Sequence, residues 1–210
     1  VVPEFRLDGQ HALITGAGRG IGRSCVLALA GLGATITAAS RTLSELEDLR
    51  DEVAATGGTV FPCVIDVRDP VSIETAVEQA FVDGPLSILV NSAGLNRPGP
   101  SASLPVDDWD LIMDTNVKGT WLTSREVGRR WIERGVRGRV VNLSSQLGSV
   151  GYPGRVPYCA SKHAVDGITR GLAVEWAPHG IAVNAVGPTF IRTPMTKGYF
   201  ENEEFLSEIL

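Results

Sequence analysis

Thr15-Gly16-Ala17-Gly18-Arg19-Gly20-Ile21-Gly22 is the stretch whose reading decides the fold. Before it stands a short apolar run, His11 to Thr15, of strand length. After it comes a segment read as a helix, Ser24 to about Leu32. Strand, glycine turn and helix together make a glycine motif informative. Glycine reaches positive φ and lets the backbone come close to a ligand. The helix that follows offers N–H groups without partners and the positive end of a dipole, which suit a pyrophosphate. The alternative is an ordinary strand-to-helix turn. The spacing T-G-x-x-x-G-x-G is wider than the common dinucleotide fingerprint.

The same alternation continues along the chain. Ala34–Ala39 reads as a second strand ending at Ser40-Arg41, and Thr42-Leu43-Ser44-Glu45 as a capping box opening a helix to about Ala55. Gly57-Gly58 ends that helix, and Thr59–Ile65 is a third strand stopping at Asp66. Asp69-Pro70 gives an N-cap with proline at the first helical position, opening a helix to about Phe81. Leu86–Val90 is a fourth strand, followed by Asn91-Ser92-Ala93-Gly94 and a Gly/Pro-rich loop, Leu95 to Ser103. From Asp107 to about Glu133 one long helix is expected, with Asn116 in its middle. Asp107, Asp108 and Asp110 at its start read as partners of the helix dipole, not as paired catalytic acids. Arg139–Leu143 is a fifth strand, then Ser144-Ser145 and a loop, Gln146 to Pro157. A helix from Tyr158 to about Trp176 is stopped by Pro178 and Gly180. Ile181–Ala185 is a sixth strand, Thr189–Phe200 a loop, and Asn202–Leu210 the beginning of a helix.

Apolar strands alternating with helices mean βαβ units: an α/β fold, a Rossmann-type doubly wound parallel sheet in three α/β/α layers. No repeat or linker divides residues 1–210, which read as a single domain. At 43% hydrophobic and 20% charged residues, the composition is that of a soluble globular protein. The net charge of −5 is spread without long runs, which argues against a nucleic-acid surface. No apolar stretch approaches the roughly 20 residues of a membrane span. Val1 to Gln10 carries no apolar signal core, so the cytoplasm is expected. Cys25, Cys63 and Cys159, with His11, His163 and His179, are scattered without metal or disulfide spacing, and no metal is expected.

In a doubly wound sheet, ligands bind outside the carboxyl ends of the strands. Gly16, Ser40, Asp66, Asn91, Ser145 and Gly187 all follow strand ends and should share one rim. Tyr158-Cys159-Ala160-Ser161-Lys162 then leads a helix away from that rim, with Tyr158 and Lys162 one turn apart on one face. A phenol holds its proton up to a pKa of roughly 10. A neighbouring ammonium favours the phenolate and tunes the group toward proton transfer at neutral pH. Cys159 points to another helix face and reads as a packing residue. A dinucleotide beside a tuned phenol implies hydride transfer with proton transfer.

With these residues in hand, the chain resembles the short-chain dehydrogenase/reductase family over essentially its whole length. The resemblance rests on Thr15-Gly16-x-x-x-Gly20-x-Gly22, Asp66, Asn91-Ser92-Ala93-Gly94, Asn116, Ser145 and Tyr158-x-x-x-Lys162, with Ser145 thirteen residues before Tyr158. It implies that Tyr158 is the general acid/base, that Lys162 also holds the nicotinamide ribose, and that Ser145 hydrogen-bonds the substrate oxygen. Asn116 would anchor a water relay through Lys162, Asp66 would touch the adenine, and Asn91 the adenosine ribose region. The implied cofactor set is Gly16, Arg19, Gly20, Ile21, Gly22, Ser40, Arg41, Asp66, Val67, Asn91, Ala93, Gly94, Tyr158, Lys162, Pro188, Thr189, Ile191 and Thr193. Gln146 and Arg155 join Ser145 and Tyr158 as substrate residues, Arg155 read either as a partner for a substrate carboxylate or as a solvent-exposed loop arginine. The chain departs from the family pattern at Ser92, where Asn is commoner, and at Pro188-Thr189, where Pro-Gly is frequent. Family members continue for roughly a helix pair and a seventh strand, so these 210 residues are expected to lack that part.

Ser40 stands about 20 residues beyond the glycine motif, where an acid normally binds the ribose diol of NAD. With Ser40 neutral and Arg41 and Arg19 close by, NADP(H) is expected over NAD(H). The run Gly187 to Pro194 resembles sugar-acid and polyol members such as gluconate 5-dehydrogenases. The alternatives are a 3-oxoacyl thioester reductase and, in another class, a non-catalytic dinucleotide sensor on the same fold. Apolar residues on more than one face of the two long helices, among them Trp121, Trp131, Leu172 and Trp176, call for a partner, and the resemblance implies a homodimer or homotetramer joined through these helices.

Overall fold

In the computed structural model, which describes residues 5–201, 203 and 207, six strands pair in parallel. They are β1 (His11–Thr15), β2 (Thr35–Ser40), β3 (Thr59–Val64), β4 (Leu86–Asn91), β5 (Arg139–Leu143) and β6 (Ala182–Val186). Their order in the sheet is β3-β2-β1-β4-β5-β6. The chain winds one way through β3 and the other way from β4, so the order reverses between β1 and β4, where a ligand crevice opens. β1 is buried at all five positions. That burial on both faces is why it reads as an apolar run.

Alternation within the strands divides the core between the two faces. Ala12 and Ile14 of β1, with Ile36 and Ala38 of β2, pack against α1 (Gly20–Gly31) and α2 (Leu43–Ala54), through Val26, Ala30, Leu46, Leu49 and Val53. Leu13, Leu89 and Val140 face the other way, onto α3 (Pro70–Asp83), α5 (Gly119–Arg134) and α6 (Val156–Trp176). That second core contains Trp131, Leu172 and Trp176. The Trp131 indole N–H donates to the Leu86 carbonyl at 2.7 Å. Trp131 and Trp176 find room because Gly138 and Gly128 lie beneath their rings, where a Cβ would collide. These three residues are thus satisfied within the chain, and of the four apolar residues expected to need a partner only Trp121 remains exposed.

Four local expectations are corrected. α1 starts at Gly20, directly out of the glycine turn, and not at Ser24. The expected long helix is α4 (Val106–Met113) and α5 joined by a π-turn, Asp114–Lys118, which holds Asn116. Such single π-turns carry one residue more per turn and recur at functional sites. At α2 the capping box does not close, because Thr42 makes no side-chain cap bond. The Gln146–Pro157 loop begins with a 3₁₀ turn, Gln146–Gly148, capped by Ser145. By contrast, Asp69 caps α3 by accepting from the Val71 amide at 3.0 Å, with Pro70 at the first position. Of the helix expected over Asn202–Leu210, only Glu203 and Ser207 fall within the described residues, and both are helical. Among the described residues, no helix is long and apolar enough to cross a membrane, and no group of His, Cys, Asp and Glu could hold a metal ion.

Candidate active site

A cleft of about 470 Å³ runs along the carboxyl ends of the strands, floored by the glycine turn. Gly16 sits at φ +67° with the Ala93 backbone 2.8 Å from where its Cβ would be. A Cβ on Gly22 would strike the Gly16 carbonyl. Side chains at either position would close the cradle. The N-cap of α1, Arg19, makes no side-chain cap bond, and no acid occupies the first turn. The leading N–H groups of α1 therefore face the cleft uncapped beside Gly20, Ile21 and Gly22. A backbone this close, ending in a bare helix N-terminus, fits a pyrophosphate.

Strand ends furnish the walls. From β2 come Ser40 and Arg41, and from the start of α2 come Thr42 and Glu45. Asp66, Val67 and Arg68 follow β3. The Asp66 carboxylate is gripped by the Arg68 guanidinium at 2.6 Å and accepts the Arg68 amide at 3.0 Å. Arg68 holds that carboxyl at a pKa of about 2, so it stays ionised. After β4, the Ser92 and Ala93 amides both donate to Thr15 Oγ1 at 3.2 Å, which fixes Ala93 and Gly94 against the glycine turn. Across the top, Pro188, Thr189, Ile191 and Thr193 line the cleft with Thr196. Thr196 Oγ1 accepts the Thr193 amide at 2.9 Å and folds this segment back on itself.

Ser145, Tyr158 and Lys162 meet at the β5 end. Lys162 is buried, its Nζ 5.5 Å from the Tyr158 ring centroid and donating to the Leu143 carbonyl at 2.6 Å. Burial pulls its pKa down to about 8, against a smaller opposing pull from Asp166. Ser145 Oγ accepts the Leu147 amide at 3.1 Å, which leaves its own proton to donate elsewhere.

Four expected site residues lie off the cleft wall. Asn116 is buried beneath it. Its Oδ1 accepts the Leu95 amide at 2.9 Å, and its Nδ2 donates to the Leu95 carbonyl at 2.9 Å and to Ser161 Oγ at 3.0 Å. Ser161 Oγ in turn donates to the Tyr158 carbonyl at 2.7 Å. Asn116 thus links the loop after β4 to the Tyr158 turn and does not itself line the cleft. Asn91 is also buried, donating to Ser124 Oγ and Asn142 Oδ1 at 2.9 Å each, and it does not line the cleft. Gln146 and Arg155 do not line the cleft either. Arg155 donates instead to the Gly154 carbonyl at 3.4 Å, along its own loop.

Conversely, Glu45, Arg68, Asn96, Arg97 and Thr115 line the cleft without having been singled out. Arg97 belongs to the loop that leaves β4, a strand-end signal that the sequence offered. Its guanidinium is 3.7 Å from Asp108, and the pair is half exposed. Glu45 was hidden by its fit to a capping box.

Comparison with known proteins agrees with this arrangement. The chain is 37% identical over 202 residues to a gluconate 5-dehydrogenase of Gluconobacter oxydans (strain 621H), covering 96% of this chain and 78% of the relative. It is 39% identical over 194 residues to a 3-oxoacyl-acyl-carrier-protein reductase of Thermotoga maritima, covering 92% and 78%. A gluconate 5-dehydrogenase from Burkholderia cenocepacia J2315, crystallised with NADP and tartrate, superposes with a TM-score of 0.91 at 33% identity, over 96% of this chain and 79% of that one. The family model for short chain dehydrogenases matches residues 10–204, which takes in every strand and the entire cleft. By sequence, strand order and site, the chain belongs to the short chain dehydrogenase family, the oxidoreductases of CH–OH groups.

Proposed function

We propose that this protein interconverts a secondary alcohol and a ketone on a sugar acid or polyol, with NADP(H) as the favoured dinucleotide and NAD(H) as the second choice. The observation that carries the reading is the meeting of Tyr158, Lys162 and Ser145 at one end of a cleft whose floor is a glycine cradle. The uncapped α1 terminus would hold the pyrophosphate, with Arg19, Ser40 and Arg41 toward the adenosine 2′ position and Lys162, Thr189 and Ile191 toward the nicotinamide. When bound there, the nicotinamide supplies the hydride chemistry that the chain lacks.

The chain's own residues handle the proton. Tyr158 takes it from the alcohol in oxidation and returns it to the oxygen in reduction. Lys162 is charged at neutral pH and favours the phenolate. Its bond to Leu143 holds the ammonium in place and leaves two N–H groups for the site. Ser145 donates to the substrate oxygen, its own oxygen being held by Leu147. Asn116 keeps the Tyr158 turn and the β4 loop in step. An acidic substrate is supported by the Arg97 guanidinium in the cleft wall and by the tartrate named with the Burkholderia structure.

A screen of purified protein against sugar acids, polyols and acetoacetyl thioesters, with each dinucleotide, tests this. Turnover on the thioester alone would replace the sugar-acid reading with the reductase one. We further infer a cytoplasmic homodimer or homotetramer joined through the outer faces of α5 and α6, where Trp121 is 42% exposed and Val174 80%. A monomer mass by light scattering at micromolar concentration would contradict it.

A further inference from the structure

Glu45 lies three residues past Thr42, where the acid of a capping box belongs. It does not close that box. The Thr42 amide donates to Ser40 Oγ at 3.3 Å instead. The Glu45 side chain turns into the cleft and lies over Gly18. A Cβ on Gly18 would be 2.5 Å from Glu45 Oε2 and 3.1 Å from Ser40 Oγ, so carboxylate and hydroxyl share one corner at the end of β2. Nearby Glu52 is paired with Arg23, and Asp66 with Arg68. Glu45, Arg19 and Arg41 line the cleft outside any ion pair among the described residues.

The end of the second strand is where a doubly wound dinucleotide site reads the adenosine 2′ substituent. A carboxylate there accepts hydrogen bonds from a ribose diol and repels a 2′-phosphate. A guanidinium does the reverse. This corner contains both, because the acid absent from Ser40 returns from α2. We propose that Glu45 is the cofactor-selecting residue of the cleft: it opposes Arg19 and Arg41, weakens the hold on a 2′-phosphate and keeps NAD(H) usable beside NADP(H). The proposal rests on the dinucleotide reading above.

Dissociation constants for NADPH and NADH, measured by quenching of tryptophan fluorescence on wild type, Glu45→Gln and Glu45→Ala, test it without turnover. Removing one negative charge from this corner should tighten NADPH by about five- to tenfold in both variants. NADH should weaken by a few-fold as an acceptor is lost or blunted. Two variants of different length separate the charge from a packing effect, since Glu45 is half-buried and either substitution is accommodated at the surface. A ratio of the two constants unmoved in both variants overturns the role of Glu45, whichever cofactor wild type prefers. Absence of binding of either cofactor to wild type would overturn the dinucleotide reading itself.

Discussion

Lys162 Nζ lies 2.6 Å from the carbonyl oxygen of Leu143, the last residue of β5, so the proton-transfer helix is tied to the sheet by a buried ammonium. Burial lowers the Lys162 pKa from 10.5 to about 8. Below pH 8 the ammonium is charged in both folded and unfolded chains, and its burial cost is present in full. Between pH 8 and 10.5 the unfolded chain binds more protons, so stability rises with pH. Lys162→Met removes this slope. Urea unfolding at pH 7, 9 and 10.5 should show wild type gaining on the variant by up to about 3 kcal/mol across that window. The buried Cys63 thiol, pushed up to about 11, gives a slope of opposite sign that is common to both proteins and cancels. A constant difference would mean that Lys162 is not desolvated.

Tyr158→Phe keeps the ring and removes the proton donor. kcat should fall by about 10²-fold or more, with the NADPH dissociation constant within a few-fold of wild type. Wild-type kcat in the variant would take Tyr158 out of the mechanism.

Asn91 separates a sheet role from a ligand role. Asn91→Ala strands its buried partners Asn142 and Ser124 and should cost about 1–3 kcal/mol of stability by chemical denaturation. Cofactor affinity should stay within about twofold, since direct contacts carry the larger effects. Unchanged stability with much weaker cofactor binding would return Asn91 to the adenosine.

Arg97 and Arg155 can be compared directly. Arg97→Ala should raise KM for a carboxylate-bearing substrate by about tenfold and leave a neutral polyol nearly unaffected. Arg155→Ala should change neither, because Arg155 is off the cleft wall. The opposite pattern in steady-state kinetics would restore the expectation first placed on Arg155.

Strands were legible to within about a residue: β1, buried throughout, is an apolar run, and the partly exposed edge strands β3 and β6 were bounded by turn residues on either side. The early start of α1 was not, since Gly20 and Gly22 are poor helix formers that only the turn geometry places in a helix. Nor does a π-turn mark the composition: Asp114–Lys118 differs from α-helix in its hydrogen-bond register, not its residues. Tyr158 and Lys162 were found because their meeting depends on helix spacing alone. Glu45 had two partners open to it, and the sequence showed only the local one. Arg155 and Arg97 depend on loop paths, which spacing does not fix. For Asn91 the signal existed. It alternates in step with Leu89, which faces α3 and α5, and so was bound inward from the rim.

Asn91 and Asn142 stand directly opposite each other in the pairing of β4 with β5, their amides joined at 2.9 Å. Around them Ile88, Leu89, Val90, Val140 and Val141 are aliphatic, and hydrocarbon gives two parallel strands little reason to prefer one alignment. Sliding by one residue would set Asn91 against Val141 or Leu143 and break the bond between the two buried amides, leaving Asn91 with Ser124 and Asn142 with Thr169 alone. Three residues beyond each asparagine come Gly94 and Ser145, both lining the cleft. The amide pair is therefore a ruler inside the sheet: by forbidding slip in the core, it sets the gauge of the gap in which the substrate must fit.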